Sequence, residues 1–155
     1  MYFKGGNYME WKLKKYEELT VDELYEILSA RVEVFVVEQK CPYQDIDFKD
    51  KNSYHLFAKE NGKIAAYVRI LEKGISFEEA SIGRVLTSKE YRGKGLAKEI
   101  MLKAIEYIEN ELNEKEIKIS AQAYLIEFYK SLGFKEVSDI YLEDDIPHLD
   151  MLYRK

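Results

Sequence analysis

Apolar and polar positions alternate from Trp11 to Tyr16, a period of two that predicts a first strand. Thr20 with Glu23 three residues later forms a capping box. Behind it, Leu24, Ile27, Leu28 and Phe35 fall on one face of a helix. Pro42 stops that helix, because the residue before a proline avoids the helical region. Residues 41 to 53 then read as an acidic loop with Asp45, Asp47 and Asp50. The runs Tyr54 to Lys59 and Ile64 to Leu71 flank Asn61-Gly62, a hairpin signature, and Ala80 to Thr87 is the next strand. Ala97, Met101, Ala104, Ile105, Ile108 and Leu112 trace one face of a longer helix, with Glu99 and Lys103 paired on its outer side. Glu116 to Ala121 alternates again, and a short helix over roughly Tyr124 to Leu132 ends at Gly133, a left-handed cap. Phe134 to Leu142 and His148 to Tyr153 complete the strands. Without linker, repeat or low-complexity segment, this order predicts one α+β domain over residues 9–155, its mixed, mostly antiparallel sheet flanked by helices.

A chain of 155 residues is long enough to bury a single core. Its net charge of -5 argues against nucleic acid as the main partner. Cys41 is the sole cysteine, so no internal disulfide forms and a reducing, cytoplasmic setting is expected. No apolar run approaches the about 20 residues of a membrane helix, so no membrane partner is expected. Residues 1–8 precede a second methionine, Met9, and read as an alternative start or an appended remnant with no role. Edge strands leave room for a homodimer.

Chemistry concentrates at Arg92-Gly93-Lys94-Gly95-Leu96-Ala97, between a strand and the long helix. Two glycines allow a tight turn whose N–H groups converge, and the helix start adds its unpaired amides and positive dipole end. Such a place suits a phosphate or pyrophosphate. A P-loop is excluded because no serine or threonine follows the lysine, and the sixth position of a dinucleotide fingerprint is Lys98 rather than glycine. Taken alone, a helix start that merely contains two glycines explains the loop equally well.

The loop has company. Arg92, Gly95 and Ala97 match Gln/Arg-x-x-Gly-x-Gly/Ala, and Gln122 to Phe134, containing Phe128-Tyr129 and Gly133-Phe134, follows after helix and strand. This ordered pair resembles the GNAT superfamily of acyl-CoA-dependent N-acyltransferases. Lys89 stands where proline is common, and Gln122 where asparagine is usual. Val34 to Gln39, Cys41-Pro42-Tyr43, Asp45, Asp47 and the ending Tyr141 to His148 resemble the ElaA-like branch, which also accommodates Gln122; Asp145 replaces a usual glycine.

The resemblance implies acetyl-CoA as cosubstrate and a small-molecule or peptide amine as acceptor. It places the cofactor's arm along Arg84 to Thr87, its pyrophosphate on Arg92, Gly93, Lys94, Gly95, Leu96 and Ala97, and further contacts at Gln122 and Phe128. An amide of Val85 or Leu86 would meet the developing oxyanion, and Thr87 continues that strand. Tyr129 is the candidate general acid for the departing sulfur; its alternative is a core aromatic beside Leu125 and Leu132. For the general base, His148 and Glu38 are candidates, and His55 a weaker one. Arg31 either extends to water, binds an acidic group, or pairs with Glu143 or Asp144. The acidic clusters Asp45-Asp47-Asp50 and Glu143-Asp144-Asp145 are each explained as solvated loops. Together they suggest an acceptor site, with Asp45, Asp47 and Glu143 drawing in a cationic amine. Cys41 reads as a buried structural thiol, so direct transfer is expected over a two-step route, and no ligand spacing calls for a metal. A catalytically silent acyl-CoA-binding module is the alternative function.

Overall fold

In the computed structural model, residues 9–155 are described, and segment 1–8 lies outside them. Strands β1 (Met9–Lys15), β2 (Ser53–Glu60), β3 (Lys63–Leu71) and β4 (Ser81–Thr87) pair in that order, each antiparallel to its neighbour. Asn61 and Gly62 turn the β2–β3 hairpin with φ of 52° and 78°, the mirror-image turn that matches strand twist. Both faces of this sheet are covered. Leu56, Val68, Ile70 and Ile82 meet helix α2 (Leu96–Asn110) on one side. Phe57, Tyr67 and Leu86 meet Ile27, Val34 and Phe35 on the other. That explains why β3 is apolar at nearly every position instead of alternating.

Helix α1 (Val21–Arg31) starts with the expected capping box, Thr20 Oγ1 accepting from the Glu23 amide at 3.0 Å and Glu23 Oε1 from the Thr20 amide at 2.9 Å. It continues as a π-helix, Val32–Glu38, and stops before Pro42. The widened turns were not anticipated; they bring Glu38 and Gln39 to the wall of the central cavity.

Strands β5 (Glu116–Gln122), β6 (Phe134–Glu136), β7 (Tyr141–Glu143) and β8 (Ile146–Arg154) form the second sheet. β5 lies along one edge of β8, while β6 and β7 pair with opposite ends of it. The continuous strand expected from Phe134 to Leu142 is therefore broken. Its cause is local: the Val137 amide still donates to Asp150 O at 2.9 Å, but the Asp150 amide turns to Ser138 Oγ at 2.8 Å, which ends the ladder. Asp144 and Asp145 turn β7 into β8 with φ of 51° and 63°, the left-handed region that accounts for a glycine preference there. The short helix is split into a 3₁₀ turn, Ala123–Leu125, and α3 (Ile126–Ser131). Among the described residues no helix is long and apolar enough to cross a membrane.

Candidate active site

β4 and β5 run parallel and touch at their beginnings, where Ala80 bridges Ile117 and the Lys118 amide donates to Ala80 O at 2.9 Å. Past that point they part, and a cavity of about 1110 Å³ fills the gap, walled by Gly83, Val85 and Thr87 on one side and Ser120 and Gln122 on the other. The main chain of β4 thus has one paired edge and one edge open to a ligand lying as an additional strand. Between the pairs Leu86–Tyr67 and Gly83–Arg69, β4 holds one extra residue, with Arg84 at φ 51°. This β-bulge takes Arg84 and Val85 out of the ladder with β3.

The bulge is pinned from below. Arg84 Nε donates to Asp45 Oδ1 at 2.7 Å, its second nitrogen donates to Asp45 O at 2.9 Å, and its guanidinium lies over the Tyr43 ring at 5.6 Å. Tyr43 donates its hydroxyl to the same carboxylate at 2.6 Å. Arg31, fully buried, donates to Asp45 Oδ2 at 2.9 Å and Asp50 Oδ1 at 2.7 Å. Arg69 spans Asp47 at 2.6 and 2.8 Å and Asp50 at 3.0 Å. Burial pushes the Asp47 and Asp50 carboxyls up, but the facing arginines outweigh it and hold both below the ordinary range.

Three expectations are corrected by this network. The Asp45-Asp47-Asp50 segment is no solvated loop, since Asp45 and Asp50 are buried. Asp45 and Asp47 are neutralised by arginines, so they do not serve as free anions for an amine. Arg31 neither reaches water nor pairs with Glu143 or Asp144; the acidic groups it binds are Asp45 and Asp50 of its own chain. Arg69 and Arg84 were missed. A signal existed: a charge in a doubly covered strand such as Tyr67 to Leu71 demands a partner.

At the glycine loop, Gly93 and Gly95 have φ of 79° and 77°, and a Cβ on either would meet nothing within 4 Å. The loop is therefore open in front and feeds directly into α2. Arg92 and Ala97 line the cavity, whereas Gly93, Lys94, Gly95 and Leu96 do not. Leu96 packs in the core, so only its amide is left for a ligand, and Lys94 lies over the Tyr91 ring at 5.7 Å. Arg92 donates from Nε to Thr87 O at 2.9 Å and grips Glu38 with two bonds of 2.9 and 3.1 Å. Glu38 is thus corrected from candidate base to loop clamp, its carboxylate already committed to a cation. Thr87 Oγ1 is buried in the cavity wall without a hydrogen-bond partner among the described residues, a group left for a ligand to satisfy.

Val85, Leu86, Gln122, Phe128 and Tyr129 all line the same cavity. The Gln122 amide donates to Gln39 Oε1 at 3.2 Å. Tyr129 is 5% exposed, and burial pushes its phenol up, so the hydroxyl stays protonated. His148 faces the cavity from β8, its Nδ1 2.7 Å from Ile146 O and its Nε2 3.5 Å from Glu143 Oε2. A carbonyl only accepts, so Nδ1 donates to Ile146 O and Nε2 is the ring nitrogen turned toward Glu143. His55 is structural: it is buried, bonded to Asp50 O at 2.9 Å and the Tyr67 hydroxyl at 2.7 Å, and burial lowers its pKa. Cys41 is buried and donates to Asp144 O at 3.4 Å; burial, then Asp144 and Asp145, push the thiol up.

The acetyltransferase (GNAT) domain profile matches residues 14–155. The chain is 41% identical over 145 residues to Protein ElaA of Escherichia coli strain K12, covering 92% of this chain and 95% of that one. The crystal structure of E. coli ElaA superimposes with a TM-score of 0.88 at 39% identity, covering 95% of this chain and 100% of that one. An acyl-CoA N-acyltransferase from Pseudomonas aeruginosa gives a TM-score of 0.89 at 41% identity, covering 94% and 99%.

Proposed function

The chain belongs to the GNAT acetyltransferase family, and on that premise we propose that it moves an acetyl group from acetyl-CoA directly to a primary amine. The observation that carries the reading is the open edge of β4 running from a pinned bulge to a two-glycine helix start. The loop amides would hold the pyrophosphate, Thr87 Oγ1 and the β4 main chain the pantetheine arm, and Phe128 and Gln122 its flank. An amide of Val85 or Leu86 would face the carbonyl oxygen as it becomes negative, a contribution of about 3 kcal/mol for one donor. His148 Nε2 takes the amine's proton, with Glu143 steadying the imidazolium, and Tyr129 returns a proton to the departing sulfur. A two-step route needs a thiolate, and Cys41 is held as a thiol, which supports direct transfer. Release of free thiol from acetyl-CoA across a panel of amines tests the reading.

His148→Gln is expected to lower kcat about 10²–10⁴-fold for alkyl amines. The loss should be smaller for weakly basic acceptors that are already neutral, as rates across amines of graded basicity will report. Glu38→Gln separates clamp from base. As a partly exposed ion pair it is expected to raise the KM for acetyl-CoA about two- to fivefold with kcat nearly unchanged; a hundredfold fall in kcat would restore its role as a base.

A further inference from the structure

Beyond the bulge, away from the glycine loop, the cavity ends in a corner with its own chemistry. Lys49, Arg69 and Ser76 line it. Lys49 Nζ donates to Ser76 Oγ at 2.9 Å and has no carboxylate partner among the described residues. Arg69 is 4% exposed, and its Nε has no hydrogen-bond partner among the described residues. That nitrogen lies 3.8 Å from where a Cβ on Gly83 would stand, and Gly83 puts no side chain there. The neighbouring carboxylate is already saturated: Asp47 Oδ1 accepts from Arg69 at 2.8 Å and from the Lys49 amide at 3.1 Å, and Oδ2 from Arg69 at 2.6 Å. A surplus of donors with positive charge therefore faces the corner. The opposite wall has the reverse character. Asp150 accepts from the Tyr141 hydroxyl on Oδ1 at 2.6 Å, its other oxygen only 4.0 Å from Lys118 Nζ, and Glu143 stands beside His148.

We propose that the acceptor is an amino acid-like zwitterion, its amine directed to the Glu143, His148 and Asp150 wall and its carboxylate received by Lys49 Nζ and Arg69 Nε across Gly83. This assignment rests on the acetyltransferase reading and specifies its acceptor. A carboxylate satisfies the orphaned Nε and gives Lys49 a counterion, whereas a polyamine would place a second cation against two existing ones. Charge-assisted hydrogen bonds of this kind are the strong ones.

The test compares equal-length acceptors, 4-aminobutyrate with butylamine and 6-aminohexanoate with hexylamine, together with a diamine. Each is titrated into the protein after saturation with coenzyme A, and kcat/KM is measured in parallel. The carboxylated member of each pair is expected to be favoured at least about tenfold. That ratio should fall below about twofold in Lys49→Met. It should fall likewise in Gly83→Ala, whose methyl makes only ordinary contacts at 3.8 and 3.9 Å and so leaves the fold intact. Equal or better use of the alkylamine or diamine overturns the assignment, as does a ratio unmoved in both variants or no binding of any member. The coenzyme A titration separates the two claims: heat from the cofactor without zwitterion preference removes only the acceptor assignment, and no heat removes the acetyltransferase reading itself.

Discussion

Tyr129→Phe is expected to lower kcat about 10²–10⁴-fold while leaving acetyl-CoA affinity within about twofold. Packing permits the change. The ring stacks edge-on against Phe128 at 5.2 Å and Phe134 at 5.9 Å, contacts that phenylalanine keeps. The hydroxyl makes no hydrogen bond among the described residues, so its removal strands no partner and Tm should move by only about 2 °C. A thioester with a more acidic thiol needs less protonation on departure, so it should recover part of the lost rate. An unchanged kcat removes the general acid from Tyr129.

Arg31→Leu should produce the largest loss of stability, about 3–5 kcal/mol, because it takes one cation out of a buried cluster and leaves Asp45 with Arg84 and Tyr43, and Asp50 with Arg69. For a chain of this length that is a Tm lower by about 6–20 °C in thermal unfolding. Its pH dependence has a definite sign. In the wild type, Asp47 and Asp50 are held below their ordinary range, so their contribution is present above that range and is lost as pH falls through it. In the variant, Asp45, Asp47 and Asp50 outnumber the two arginines left to them, Arg69 and Arg84, so they cost most when ionised, and acid relieves them. The gap between the two proteins should therefore be widest near neutrality and narrow toward pH 4 and below, as the ordinary carboxylate range of about 3.9–4.3 dictates. Activity should fall as well, since Asp45 also anchors Arg84 at the bulge.

Local signals in the chain carried well. Asn61-Gly62, the Thr20–Glu23 box and the glycine pair ahead of α2 each act within a few residues, and each stands where its chemistry placed it. What escaped notice depends on long-range pairing. Arg84 and Asp45 are 39 residues apart, and Arg69 and Asp47 are 22 apart, so nothing in the acidic loop itself reveals that its charges are cancelled. The bulge carries no glycine, because Arg84 is held at positive φ by Asp45 rather than by its own freedom. The π-helix end of α1 similarly reflects packing: Val34 and Phe35 must both reach Phe57, Tyr67 and Leu86. Of the residues the resemblance pointed to, Val85, Leu86, Thr87, Arg92, Ala97, Gln122, Phe128 and Tyr129 share one cavity, whereas Glu38, Asp45 and Asp47 were misread because their partners lie far off in sequence.

Calorimetric titration of coenzyme A and acetyl-CoA into the folded protein tests the core of this account most directly. One site per chain with micromolar affinity, weakened severalfold by Gly95→Val, which both puts a side chain in the open front of the loop and forces a β-branched residue onto a φ of 77°, is the predicted result. Absence of heat from either compound, or binding of equal strength with ATP in their place, would contradict it.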